Sequence, residues 1–179
     1  HDVINQAGLL ATDVTSIAIT NQRESIVMWD KQTGKPLAPA IIWQDRRTAS
    51  YCKTLAAKSP SAKTDNSHDD MASEIQRLTG LRLDPYFSAS KIAWLLENDP
   101  KLRVRANKGE IAVGTIDSWL IYKLTGGEHV IDVTNACRTL LYDVHKLVWS
   151  EELCTCFGIP INILPKVLPS DGDFGKTKK

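Results

Sequence analysis

The stretch Thr15-Ser16-Ile17-Ala18-Ile19-Thr20-Asn21-Gln22-Arg23-Glu24-Ser25-Ile26-Val27-Met28-Trp29 decides how the chain is read. One apolar segment alternates loosely through Ile17 and Ile19, and a second runs without interruption over residues 25–29. Loose alternation marks a strand with one polar side, and a continuous apolar run marks a strand buried on both faces. Between them sit an adjacent cation and anion, Arg23 and Glu24. Burying an unpaired charge is costly, so the pair is either a surface ion pair at a strand end or a site whose polar groups are satisfied by a ligand. A guanidinium fork donates and a carboxylate accepts, and together they suit the neighbouring hydroxyls of a polyol. Consecutive strand side chains point to opposite faces, so the two can share a pocket only at a strand end or bulge, which is the geometry expected at residues 23–24.

Outward from this stretch the organisation reads as α/β. Turn formers at residues 30–36 separate the 25–29 run from Ala40-Ile41-Ile42-Trp43, which predicts a hairpin with a longer loop. Residues 45–55 read as a helix, and residues 57–70, nearly devoid of apolar side chains, as a mobile solvated loop. A helix over 71–78 should close at Gly80, and one over 88–98 carries Ile92, Leu95 and Leu96 on one face until Pro100 ends it. The charges of 101–108 read as a solvated helix face. Residues 110–113, 130–133 and 139–144 are strand candidates, 115–124 is a helix ended by Gly126-Gly127, and Ser150-Glu151-Glu152 opens another helix.

The chain has 179 residues, 42% of them hydrophobic, enough for one domain or most of one lobe of a larger enzyme. It begins at His1 and is read as an excerpt. A net charge of +1 leaves no electrostatic footprint for nucleic acid or an anionic membrane. There is no run of 18 apolar residues and no signal-peptide pattern, so a cytoplasmic location is the default. Cys52, Cys137, Cys154 and Cys156 lack metal or redox spacing and read as reduced, buried small hydrophobes.

No glycine-rich phosphate loop is convincing: Gly175-Lys176-Thr177 lacks the earlier glycine, whose place falls at Ser170. His1, His68, His129 and His145 are scattered without triad or metal spacing. Asp45, Asp84, Asp117 and Asp132 each stand between elements, where caps and turn acceptors are expected.

Several collinear strings nevertheless resemble one family. They include Ile19-Thr20-Asn21-Gln22-Arg23-Glu24-Ser25, Ala40-Ile41-Ile42-Trp43-Gln44-Asp45-Arg46-Arg47-Thr48, Leu83-Asp84-Pro85-Tyr86-Phe87-Ser88-Ala89-Ser90-Lys91, Gly114-Thr115-Ile116-Asp117-Ser118-Trp119-Leu120 and Thr134-Asn135-Ala136 with Arg138-Thr139-Leu140-Leu141. Together they resemble the carbohydrate kinases, the family of glycerol, xylulose and gluconate kinases, and its glycerol kinases most of all. The resemblance implies an actin-like, ribonuclease-H-like ATPase lobe, a mixed sheet flanked by helices, facing a second lobe across a cleft. It implies transfer of the γ-phosphoryl of ATP, with Mg2+, to a terminal hydroxyl of glycerol. It gives Arg23 and Glu24 to the glycerol hydroxyls, Trp43 to an apolar wall along the carbons and Tyr86 to a further hydroxyl contact.

Departures from the family pattern limit what this chain is expected to do. The phosphate-contacting Asp-x-Gly-Thr segment would lie upstream of His1, and the Gly-Asp-Gln segment with the catalytic base beyond Lys179. Residues 1–179 are therefore read as an amino-terminal lobe, incomplete at both ends and without the carboxy-terminal lobe, that does not turn over alone. Cys137 stands where many relatives have Ser, and residues 57–70 form a longer loop than most. A kinase for another polyol or ketose, a non-catalytic polyol-binding homologue and an actin-like filament protein are the competing readings. A homo-oligomer is compatible with the sequence.

Overall fold

In the computed structural model, residues 2–57 and 70–178 are described. In chain order the elements are α1 (Asp2–Gln6), β1 (Ile26–Asp30), α2 (Ala49–Ala56), α3 (Met71–Thr79), α4 (Ser88–Asn98), α5 (Pro100–Asn107), β2 (Ile111–Thr115), α6 (Ile116–Thr125), β3 (Val130–Asp132), α7 (Val133–Ala136), β4 (Tyr142–Asp143), β5 (Val148–Trp149), α8 (Glu151–Cys156) and β6 (Lys166–Leu168).

β1 is the keystone. It pairs antiparallel with β2, Ile26 opposite Thr115 and Asp30 opposite Ile111, while its other edge meets Ile41 and Pro36 through isolated bridges. The expected hairpin is thus present, turned by an Asp30 carboxylate that accepts from the Thr33 amide at 2.5 Å. Period-two alternation sends Ile26 and Met28 into the main core with Ile75, Ile92 and Leu96, and Val27 and Trp29 to the opposite face with Ala112 under α6. Both faces are buried, as an uninterrupted apolar run requires. Gly114 lets α6 lie close on β2, because a Cβ there would stand 2.5 Å from the Ser118 Cβ.

Parallel pairing of β3 with β6 and antiparallel pairing of β4 with β5 make the strand arrangement mixed, as three two-stranded ladders. Residues 15–20, expected as a strand, form no ladder among the described residues; with no partner strand alongside, they serve as one wall of a cavity. α2 starts at Ala49 rather than Asp45. The Asp45 carboxylate accepts from both the backbone amide and the guanidinium of Arg47, a local turn that competes with helix. Pro100 ends α4 and also opens α5 as its first residue, with Asp99 capping the amides of Lys101 and Leu102. The expected loop at 57–70 lies, apart from Ala57 and Asp70, outside the described residues. Cys52 and Cys154 are buried as expected, whereas Cys137 and Cys156 are half-buried. Among the described residues no helix is long and apolar enough to cross a membrane.

Candidate functional site

Arg23 and Glu24 occupy a turn immediately before β1, so the backbone leaves strand geometry where the adjacent charges fall. The turn is tied to its surroundings by Ser25, whose hydroxyl donates to Gln22 Oε1 at 3.0 Å and accepts from the Trp43 amide at 3.1 Å. One short polar side chain therefore fixes the spacing between the charged turn and Trp43.

Glu24 is 4% exposed and is held by Arg138, whose Nε donates to Glu24 Oε1 at 2.8 Å. The Ser88 hydroxyl donates to the Glu24 carbonyl at 3.3 Å. The Arg138 guanidinium lies 5.0 Å over the Phe87 ring, Phe87 meets Tyr86 edge-on at 5.2 Å, and Tyr86 meets Trp43 edge-on at 5.6 Å. Glu24, Tyr86 and Trp43 thus belong to one contiguous train of contacts. Glu24 Oε2 takes no hydrogen bond among the described residues, which leaves an acceptor for a donor from outside.

Arg23 points elsewhere. It is exposed, and it lines a cavity of about 730 Å³ with Asn21, Asp117, Asp132, Thr134 and Asn135. Glu24, Trp43 and Tyr86 are not among the cavity's lining residues. The turn thus divides the two charges, the cation toward the cavity and the anion toward Arg138.

The acids expected as caps separate in the same way. Asp84 Oδ1 accepts from the Tyr86 amide at 2.8 Å and Asp132 Oδ1 from the Asn135 amide at 2.8 Å, both as turn or cap acceptors. Burial alone would raise the Asp132 carboxyl, but hydrogen bonds from Ser170, Asn135 and Thr134 outweigh it and hold it at about 2. Asp117 is different: it is 4% exposed, accepts from the Thr115 hydroxyl and from Asn21, and leaves Oδ2 without a partner among the described residues. Burial pushes its carboxyl upward, against the Thr115 hydrogen bond.

Two residues outside the expected site complete the arrangement. Arg138 stood only within a matching string, and its pairing with Glu24 crosses 114 positions that no local pattern spans. Lys91 lies on α4 four residues before Leu95, on the face that Ile92, Leu95 and Leu96 turn to the core. A lysine in that helical phase was the available signal.

A model described as the FGGY family of carbohydrate kinases, N-terminal domain, matches residues 1–179. A glycerol kinase of Roseobacter denitrificans is 52% identical over 176 residues, which is 98% of this chain and 33% of that protein. One from Deinococcus radiodurans is 49% identical over 99% of this chain and 33% of its own length. The crystal structure of Plasmodium falciparum glycerol kinase with ADP superposes with a TM-score of 0.84 at 37% identity, covering 99% of this chain and 34% of that one. A xylulose kinase from Rhodospirillum rubrum shares the fold, with a TM-score of 0.74 at 20% identity over 94% of this chain and 31% of its own. The chain therefore spans about a third of the length of the relatives it matches. With the family model covering every residue and the folds superposing throughout, the chain belongs to the FGGY family of carbohydrate kinases, in its N-terminal domain.

Proposed function

We propose that this chain is the acceptor-binding part of the amino-terminal lobe of an ATP-dependent glycerol kinase, within a longer protein that carries the second lobe. The support that weighs most is the contrast in likeness. Identity to the glycerol kinases named above runs from 37% to 52% over nearly the whole chain, whereas identity to a xylulose kinase of the same fold is 20%.

In this reading glycerol lies at the turn before β1. Glu24, oriented through one oxygen by Arg138, accepts from a glycerol hydroxyl with the other, and Arg23 donates from the cavity side. The indole of Trp43 covers the carbon chain and excludes water, and the Tyr86 hydroxyl adds a contact. The reaction places the γ-phosphoryl on a terminal hydroxyl oxygen of glycerol, releasing ADP and the hydroxyl proton and giving sn-glycerol 3-phosphate.

ATP would supply the phosphoryl group and Mg2+ would offset its charge. The described residues show no group of three His, Cys, Asp or Glu able to hold a metal ion, and no glycine-rich cradle for phosphate, so no step through either is assigned to this chain. A base for the hydroxyl proton is expected in the remainder of the protein, and the 179 residues alone are expected to be inactive. A cytoplasmic enzyme without nucleic-acid partners, compatible with a homo-oligomer, completes the reading; the net charge of +1 leaves no electrostatic footprint for nucleic acid.

The test is competition between acceptors. With full-length protein and ATP, kcat/KM for glycerol should exceed that for xylulose by at least about a hundredfold, since a site built around particular hydroxyls discriminates strongly. Preference for xylulose, or turnover of neither, would contradict the reading.

A further inference from the structure

Lys91 is fully buried, with 0% of its surface exposed. Its Nζ donates to three consecutive carbonyl oxygens, Pro85 at 2.5 Å, Tyr86 at 2.6 Å and Phe87 at 3.1 Å. An ammonium has three N–H donors, so this one segment saturates it. Among the described residues it touches no carboxylate, while Asp45, Asp84 and Glu24 surround it as longer-range charges that oppose the cost of its burial.

Such a group is a poor choice for packing alone, because a methionine of similar length would fill the same volume without desolvating a charge. What the ammonium adds is a fixed backbone. Within the 84–87 turn the Asp84 carboxylate accepts from the Tyr86 amide and the Asp84 carbonyl from the Phe87 amide, while from outside the exposed Arg46 comes no closer than 4.0 Å to the Asp84 carboxylate. Lys91 supplies the bonds that anchor the turn to α4, and the turn carries Tyr86 against Trp43 and Phe87 under Arg138.

We propose that Lys91 is a positioning residue of the acceptor site, whose ammonium clamps the carbonyls of residues 85–87 and thereby sets the placement of Tyr86 and the affinity for the polyol. This rests on the acceptor-site reading given above. The role is exerted through Tyr86, so its signature is non-additivity with a change at that residue.

The experiment uses the full-length protein. Lys91→Met should raise the KM for glycerol about tenfold and leave the KM for ATP within twofold, and the same change in a Tyr86→Ala background should raise the glycerol KM less than twofold. Amide hydrogen exchange at Tyr86 and Phe87, measured without glycerol, should quicken about tenfold in Lys91→Met. Unchanged exchange, or equal KM increments in both backgrounds, would overturn the positioning role while leaving the acceptor site standing. Faster exchange with an unmoved glycerol KM in both Lys91→Met and Tyr86→Ala would overturn the acceptor-site reading, and the proposal with it. Should Lys91→Met fail to fold, Lys91→Gln, which keeps two donors, should give about a threefold rise in glycerol KM together with faster exchange, and wild-type values for both would overturn the proposal.

Discussion

The two sides of the turn before β1 are built on opposite terms. On the Glu24 side every charge is closely placed: Arg138 on Glu24, Lys91 on three carbonyls, Asp84 on the Tyr86 amide. On the Arg23 side an exposed guanidinium faces a cavity lined in part by Asp117, whose buried Oδ2 has no partner among the described residues. Both sides descend from one pair of neighbouring residues. The difference teaches that a turn can divide a pair of adjacent charges, one held rigidly in a buried ion pair and the other left exposed at a cavity.

That contrast can be broken most severely at its rigid end. Arg138→Ala would leave Glu24 buried without its cation, and loss of about 3 kcal/mol in urea unfolding is expected. A loss below about 1 kcal/mol would mean that Glu24 is solvated after all and that the two sides are alike. Gly114→Ala comes next. Its Cβ would meet Ser118 at 2.5 Å beneath Trp29, so prising α6, which carries Asp117 of the cavity side, from β2 should cost about 2 kcal/mol, and a neutral result would show that this contact yields easily.

Acid sharpens the comparison. Burial pushes the His129 imidazole down to about 4 from 6.5, only partly opposed by its contact with the Val113 carbonyl at 3.0 Å. The unfolded chain therefore takes up this proton first, and the associated stability, whole above pH 6.5, is lost as pH falls toward 4. About 2 kcal/mol should go between pH 7 and pH 5, and His129→Gln should flatten that limb. Asp132, on the cavity side and held at about 2, loses its contribution only in stronger acid, between 3.8 and 2. The smallest effect belongs to the unpartnered oxygen. With its pKa raised, Asp117 favours folding most below the ordinary carboxylate range, and that benefit fades as pH rises. Asp117→Asn should therefore be neutral near pH 4 and stabilising by about 1 kcal/mol at pH 7, seen as a shift in the urea midpoint; destabilisation at pH 7 would show that the carboxylate is satisfied.

Much of this was legible in the chain. The uninterrupted run at 25–29 placed β1 between two cores, and the strand end expected at Arg23 and Glu24 is found, although the two charges face different sides of it rather than one pocket. Gly80 in the left-handed conformation closes α3, and Ser150 caps α8, as their positions predicted. Other parts were not legible, for identifiable reasons. Residues 15–20 had the alternation of a strand, but a strand also needs a neighbour to pair with, which periodicity does not report. Asp45 falls in a helical pattern, but its carboxylate accepts from the Arg47 amide in a local turn that competes with helix and that periodicity does not report. Arg138 lies too far along the chain for any pattern to join it to Glu24, and Lys91 had a visible helical phase whose meaning depended on the turn it meets.

The most direct test of the divided pair is the glycerol KM of full-length protein carrying Arg23→Ala, measured beside its unfolding midpoint. The cation reaches from the exposed side and makes no hydrogen bond among the described residues, so the fold should be unchanged while the glycerol KM rises at least about thirtyfold. An unaltered KM and kcat would contradict the assignment of this turn to the acceptor.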